Sequence, residues 1–557
     1  MKKIICLLLS MSLITLLSAC GLARIPEAHL TEEEKPSMES TPKPTESAPT
    51  RGGELRVPLT DVDTFNPLLT QSRDLINFLG LIFESPITYD EQSKPAPSLV
   101  TDWEVSPDGR LWIFDVRKGV KWHNGQQFTG EDILFTLQVL HTGALDSFYQ
   151  QNLYDNTNIV EYGLRGGDPY TIFIRLGEPT YCILNLMTFP VLPMSVYQSI
   201  DFILENKEDL SFLPVGTGPY RVDPGYPYEG DMIRLVQNDS WWDGTPYIHF
   251  IEGKVYASND ESRNAFLNGD IDLVDTTVVY ANTRLNRNDA GHYKYLTSSF
   301  EFLALNSNNP LLQDHSIRKA MAFGIDRKDI ISKIYLNNAE TVDAPIPSNS
   351  WLYDSSYRIY DYDPKRAGRI LEEAGWKDHD GDGILEREID ETTVDLAFTI
   401  LVNSENDLRK DAADLIKKQL DQIGFRITIE DLPWDVLQEQ KIKTGEFDAV
   451  LTGYTLDPMN DLRPVFHSDW AVEQGNNFFG YSHPELDGLL FKAAGAYTEE
   501  ERREAYQGIQ KHFTDELPVI SLYFRTASLL VDNRVRGIRS VGELDIFRNI
   551  KDWFLVR

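Results

Sequence analysis

Between Leu408 and Pro458 the hydrophobic spacing switches period more than once, and that run limits the fold more than any other part of the chain. Leu408, Ala412, Leu415, Ile416 and Ile423 share one helical face, and Gly424 marks its stop. Phe425, Ile427 and Ile429 then alternate as a half-buried strand does. A segment opening at Trp434 leads into Phe447 to Thr452, an apolar run flanked by Gly445 and Gly453 that suits a buried strand. Helix, glycine, strand, helix, strand is the grammar of a parallel sheet, so the chain is predicted to be α/β. The last strand ends in a turn marked by Gly453 and Asp457-Pro458. In open α/β sheets ligands sit just beyond the carboxyl ends of strands. Leu451, Thr452, Gly453 and Tyr454 are therefore expected to face a cleft, with Trp434 as pocket wall or as core.

At 557 residues the chain exceeds a single core, and two or three domains are expected. A formal net charge of −33 excludes a nucleic-acid partner, because a phosphate backbone demands a basic surface. Lys2-Lys3, the apolar run Ile4 to Leu17 and Leu17-Ser-Ala-Cys20 read as a secretory signal over residues 1–19. Leu-Ser-Ala-Cys resembles the lipobox of bacterial lipoproteins, which implies a diacylated Cys20 and a protein anchored to the outer face of the cell membrane. The ordinary secretory signal with a coincidental cysteine is the other reading. Residues 20–52, rich in Pro, Ser, Thr and Glu, read as the lipidated cysteine and a disordered tether. With Cys6 in the signal and Cys20 as anchor, Cys182 stands alone and no internal disulfide can form.

Strands are predicted at Leu55 to Leu59, Leu111 to Val116 and Thr171 to Leu176. Thr129 with Asp132 forms a capping box for a helix through Ile133, Leu137 and Leu140. Asp363 and Pro364 open another helix, with Ala367, Ile370, Leu371 and Ala374 on one face and Gly375 at its end.

Several blocks, in order, resemble the large extracellular solute-binding proteins of peptide and nickel ABC importers, solute-binding family 5. They are Trp112-Ile-Phe-Asp-Val-Arg-Lys-Gly-Val-Lys-Trp-His-Asn-Gly125 with Phe128-Thr-Gly-Glu-Asp132, and Pro214-Val-Gly-Thr-Gly-Pro-Tyr220. Trp241-Trp-Asp-Gly-Thr-Pro246 follows, then Asp314 to Arg327 with Ile317-Arg318, Ala320 and Ile325-Asp326-Arg327, then Gly445-Glu-Phe-Asp448 and Asp457-Pro458. The resemblance implies a two-lobed, type II periplasmic-binding-protein-like fold with an extra inserted α+β domain. It implies lobe I over 53–82, 206–301 and 521–557, the inserted domain over 83–205, and lobe II over 302–520. It also implies capture of a solute between the lobes and delivery to a membrane permease by a monomeric protein. An oligopeptide is the expected solute, held extended through its main chain. An oligosaccharide or other uncharged solute is the alternative.

The resemblance also guides the site, and the sequence departs from it at both charged anchors. Oligopeptide-binding members place an Asp four residues before the Pro to pair the peptide amino terminus; here that slot holds Tyr454. A phenol offers no charge at neutral pH, so the carboxylate must come from Asp457, Asp461 or Glu439 if a free terminus is bound. Asn403 and Ser404 fall near a loop that supplies an Arg for the peptide carboxylate in dipeptide-binding members. The first Arg here is Arg409, expected on the following helix. These departures favour a longer or capped peptide, or an uncharged ligand. Leu451, Thr452 and Gly453 match the ligand-lining strand end, and Trp434 falls close to a pocket tryptophan. Asp63-Thr-Phe-Asn66 ends the first strand, so Phe65 and Asn66 are candidates, against a turn in which Asn66 bonds its own backbone. Asn306 is read as structural.

Asp378-His-Asp-Gly-Asp-Gly383 imitates the start of an EF-hand loop through Asp378, Asp380 and Asp382. Ile389 occupies position twelve, where a bidentate Glu belongs, so a weak calcium site competes with a tight turn. No cofactor is expected. The ten His are scattered without His-Glu-x-x-His or His-x-His spacing, and Gly-x-Ser-x-Gly and a phosphate loop are absent. The chain is therefore expected not to be an enzyme, with a surface-anchored hydrolase as the weaker reading.

Overall fold

Leu55, Val57 and Leu59 bury one face of the strand Glu54–Leu59, each at most 1% exposed. The computed structural model describes residues 48–150, 158–226, 228, 230–279, 290–389, 391–471 and 475–556. The signal segment, Cys20 and all but the last few tether residues lie outside them. Glu54–Leu59 pairs in parallel with Phe250–Val255, and Met232–Gln237 and Tyr220–Val222 complete a four-stranded sheet. Gly253 lets a helix pack tightly there, since a Cβ on it would lie 3.0 Å from the Phe78 ring.

Between the first and last of those strands the chain forms a separate antiparallel sheet. Its order is Val100–Val105, Leu111–Val116, Thr171–Leu176, Ile159–Leu164. Alternation buries Trp112, Phe114 and Val116 on one side. The helix Gly130–His141 carries the predicted capping box: Thr129 and Asp132 each satisfy the other's end of the first turn.

The second half is built on a seven-stranded mixed sheet. Its main path runs Leu273–Thr276, Val519–Asp532, Ala290–Leu305, Ala449–Thr455, Ala397–Asn403, Arg426–Leu432. Two of these strands are unusually long, 16 residues in Ala290–Leu305 and 14 in Val519–Asp532, and they run antiparallel to each other. Their register shifts between Leu296 and Phe300, a bulge that bends the ribbon.

The βαβ run forms as its spacing predicts. Ala397–Asn403 pairs in parallel with Arg426–Leu432 on one side and with Ala449–Thr455 on the other. The helix Asp407–Asp421 between the first two is capped by the Asn406 side chain and buries Ala412, Ala413, Ile416 and Leu420. Gly424 follows at φ +93°, a backbone that glycine adopts without strain. Two details differ from the sequence reading. The segment from Trp434 is one α-turn continued by a π-helix, Leu437–Ile442. The last strand starts at Ala449, not Phe447. The carbonyl of Phe447 accepts from Asn306 Nδ2 at 2.7 Å, and the Asp448 carboxylate accepts from Asn309 and from the Thr399 N–H at 2.8 and 2.9 Å. Those side-chain bonds fix Phe447 and Asp448 just before the strand, and the Asp448 carbonyl accepts the Asn306 N–H at 2.9 Å. Asn306 thus serves the structural role read from the sequence. Among the described residues no helix is long and apolar enough to cross a membrane.

Candidate functional site

The bulge in the long crossing strand opens a cavity of about 110 Å³. Tyr295 and Ser298 line it from that strand, Asp457 from the turn after Ala449–Thr455, Tyr89 from the short strand Ile87–Tyr89, Asn349 from a loop, and Glu543 from the C-terminal segment. Each wall is tied down. Tyr295 donates to Asp275 at 2.6 Å and accepts from Arg73 at 2.7 Å. The Ser298 N–H donates to Glu543 at 2.7 Å, and the Leu456 N–H to the Ser298 carbonyl at 3.0 Å.

Asp457 is the one of the candidate anchors that no ion pair reaches among the described residues, although the Arg502 charge acts on it. Of the three carboxylates named as anchors, Asp461 is held by the Arg463 guanidinium at 2.6 to 3.1 Å, and Glu439 pairs with Lys443 at 2.6 Å on the exposed π-helix. Asp457 accepts the Asp461 N–H at 3.0 Å, and no ion pair reaches it among the described residues. Burial pushes its pKa up to about 6, and the neighbouring Asp461 charge adds to the rise. Tyr454 stands half-buried nearby. Burial and the charges of Asp457 and Asp461 keep its phenol protonated beyond the usual range.

A second group gathers at the carboxyl ends of the parallel strands. Arg409, on the helix as expected, grips Glu301 through two hydrogen bonds of 2.8 and 3.1 Å, and its Nη1 lies 3.5 Å from Asn403 Oδ1. Glu301 is 2% exposed, so this is a buried charge pair. Gly453 faces Glu301 across the ladder, and a Cβ on it would stand 2.6 Å from Arg409 Nη2 and 2.9 Å from Glu301 Cδ. Glycine is therefore needed there. The Ser404 N–H donates to Leu432 at 2.7 Å, and the Trp434 N–H to Glu405 at 3.2 Å, while the Trp434 side chain lies largely in solvent.

The remaining candidates are placed as follows. Leu451 is 1% exposed inside the second lobe's core, and Thr452 is 6% exposed with its backbone paired to Phe302, so neither side chain faces open space. Asn66 Oδ1 accepts the Leu68 N–H at 3.0 Å, and Phe65 is buried edge-on against Tyr228 at 5.1 Å. Asp63 accepts from Thr70 Oγ1 and the Gln71 N–H, so that loop satisfies itself. The exposed carboxylates of Asp378, Asp380 and Asp382 come within 4.8 Å of one another, and each also caps a backbone N–H of the same turn. Tyr295, Ser298, Asn349 and Glu543 were not singled out from the sequence, where nothing marks them; only the fold brings them to Asp457.

Backbone geometry completes the site. The Asp448 carbonyl accepts the N–H of Asn306, one residue beyond the long strand, at 2.9 Å, and the Leu456 N–H donates to Ser298 within it at 3.0 Å. In an antiparallel ladder alternate residues turn both backbone groups to the partner. Leu451, Gly453 and Thr455 therefore turn theirs the other way; the Leu401–Val450 pairing takes the Leu451 N–H, and Gly453 and Thr455 lie beyond it.

Two α/β lobes joined by a bent ribbon, with a cavity at the bend and an open strand edge beside it, make a solute-binding clamp. The chain belongs to the bacterial extracellular solute-binding proteins of family 5: the family model described as "Bacterial extracellular solute-binding proteins, family 5 Middle" matches residues 94–473. It is 25% identical over 527 residues to the oligopeptide-binding protein AppA of Bacillus subtilis, covering 94% of this chain and 95% of that one. The solved structure of Bacillus subtilis AppA in complex with a nonapeptide aligns at TM-score 0.60 and 24% identity, over 92% of this chain and all of that one. NikZ of Campylobacter jejuni in complex with Ni(L-His) aligns at TM-score 0.64 and 24% identity, over 90% and 99%. The fold is two-lobed α/β, as the sequence implied.

Proposed function

We propose that this protein is the substrate-binding component of an ABC importer that captures an extended oligopeptide between its lobes. It hands the peptide unaltered to a membrane permease. The observation that carries this reading is the Asp457 carboxylate on the cavity wall, which no ion pair reaches among the described residues, a counter-ion for a peptide amino terminus. The outward backbone groups of Gly453 and Thr455, beyond the last pairing with Ala397–Asn403, supply strand addition for the peptide main chain. Arg409 is spent on Glu301, so no fixed cation awaits the peptide carboxylate there, which favours long peptides over dipeptides. The similarity to a protein solved with a nonapeptide supports the same choice.

On this reading lobe I comprises 53–82, 206–301 and 521–557, the inserted domain 83–205, and lobe II 302–520. Cys20 carries the lipid, and the protein acts as a monomer on the outer face of the membrane, binding without catalysis. The second reading, an uncharged solute such as an oligosaccharide, is favoured by Tyr454 standing where the family's acidic anchor belongs.

Calorimetric titration with extended peptides, their N-acetylated twins and maltooligosaccharides tests this. Stoichiometric retention of intact free-amine peptide is expected, with Asp457→Asn costing about 2–5 kcal/mol for that peptide and little for the acetylated twin. Equal losses for both twins would remove Asp457 as the anchor. Binding of the sugars alone would favour the second reading, and turnover would make the protein a hydrolase.

A further inference from the structure

We propose that His483, Glu485 and His512 form a binding site for one divalent transition-metal ion of the zinc class, clamping the helix Pro484–Gly495 to the helix Glu499–Glu516. One ligand atom from each of the three residues lies within 4.8 Å of the others. Zinc bonds of about 2.0–2.2 Å need ligands roughly 3.5 Å apart. Small rotations of Glu485, which is exposed, and His483, which is half-exposed, close that difference.

His512 is the fixed member. Its side chain is 1% exposed, and its Nε2 meets the Tyr481 hydroxyl at 2.9 Å. A hydroxyl on the far nitrogen is how a metal-ligating imidazole is oriented. The near nitrogen, Nδ1, is buried without a hydrogen-bond partner, 3.5 Å from Glu485 Oε2. The His483 ring lies 4.6 Å from the His512 ring, centroid to centroid, and its Nδ1 accepts the Glu485 N–H at 3.3 Å. Its Nε2 is left as the donor to a cation.

Capping explains His483, and the Tyr481 bond explains one side of His512. His512 Nδ1 and Glu485 Oε2 stand 3.5 Å apart, a long contact for a direct pair. A cation between them answers both groups. Two imidazoles and one carboxylate suit zinc, nickel or copper and not calcium, which takes oxygen ligands. Three protein ligands leave a fourth position for water. The positive end of the helix Pro484–Gly495 opposes a cation; Glu485 and Asp487 in its first turn offset that. None of the three ligands lines the cavity at Asp457, so this site is separate from solute capture.

The test uses the mature full-length chain, stripped with EDTA and titrated with ZnCl2 by calorimetry, with thermal unfolding in parallel. One Zn²⁺ per chain is expected, with a raised melting temperature, because a cation held by the folded state alone stabilises it. Glu485→Gln, at the surface, and His483→Ala, which also removes a helix cap at a cost of about 1 kcal/mol, are each expected to weaken Zn²⁺ binding at least tenfold. Tyr481→Phe is expected to weaken it about tenfold through the second-layer contact. Peptide titrations on the same variants are expected to be unchanged. Absence of saturable Zn²⁺ binding, or binding unaltered in both His483→Ala and Glu485→Gln, overturns the proposal.

Discussion

At the scale of single residues, Asp457 sets stability against binding. Its folded pKa is raised to about 6, so the folded protein holds its proton more tightly than an unfolded chain does. A raised folded pKa contributes stability that is present below the unfolded value and is lost as pH rises through the folded one. Ionised Asp457 therefore costs stability at neutral pH. Asp457→Asn is expected to stabilise the free protein at pH 7 by on the order of 1 kcal/mol and to change little at pH 4, as read by urea denaturation at both pH values. Affinity runs the other way: the carboxylate needed to hold an ammonium is lost as pH falls through about 6, so free-amine peptides are expected to bind more weakly at pH 5 than at pH 7.5. A variant that lost stability at pH 7 would show the carboxylate to be structural.

Gly453 makes a second argument at this scale. The sequence marks it as a strand-end glycine, but its reason lies in Glu301 and Arg409, which are far apart in the chain. Gly453→Ala is expected to push Arg409 off Glu301 and strand a buried carboxylate. The expected cost is about 3–5 kcal/mol, the range for removing one partner of a buried pair. Arg409→Ala is expected to cost a similar amount. Adding Gly453→Ala to Arg409→Ala is then expected to cost much less than the sum, which a double-mutant cycle in urea measures.

Elements were legible where a local rule decides them. Thr129 and Asp132, Asp363 with Pro364, and the alternation of Leu55, Val57 and Leu59 each place an element end or face without help from the rest of the chain. The βαβ run was legible for the same reason. Asn406→Ala tests how local that run is. The Asn406 side chain caps the helix Asp407–Asp421, and its loss is expected to cost about 1 kcal/mol. A much larger loss would mean that the cap also holds Arg409 in place. What could not be read were features set by distant partners. Phe447 is apolar and reads as strand, yet side-chain bonds from Asn306 and Asn309 fix its segment just before the strand, which starts at Ala449. The bulge between Leu296 and Phe300 has no mark of its own and arises from pairing with Val519–Asp532. It is this bulge that brings Ser298 and Tyr295 to the cavity, so the site's far wall was invisible for the same reason. The gathering of His483 and Glu485 with His512 was invisible too, because it depends on how two helices pack and not on spacing along either.

For the whole molecule the dominant quantity is a formal net charge of −33. Such a field does not choose a fold, but it biases which solutes arrive. Positively charged peptides are drawn in, acidic ones are repelled, and the bias fades as salt shortens the screening length from about 30 Å at 0.01 M to about 8 Å at 0.15 M. The association rate of a lysine-rich peptide is therefore expected to fall over that salt range, by roughly tenfold if steering is effective, while an acidic peptide of equal length speeds up. Dissociation rates are expected to change far less, because main-chain bonds along the open edge of Ala449–Thr455 are short-ranged and carry no net charge. Stopped-flow association at the two salt concentrations separates these cases. If both peptides associate at rates independent of salt, the acidic surface must lie away from the cleft mouth. Selectivity would then rest on the cavity at Asp457 alone.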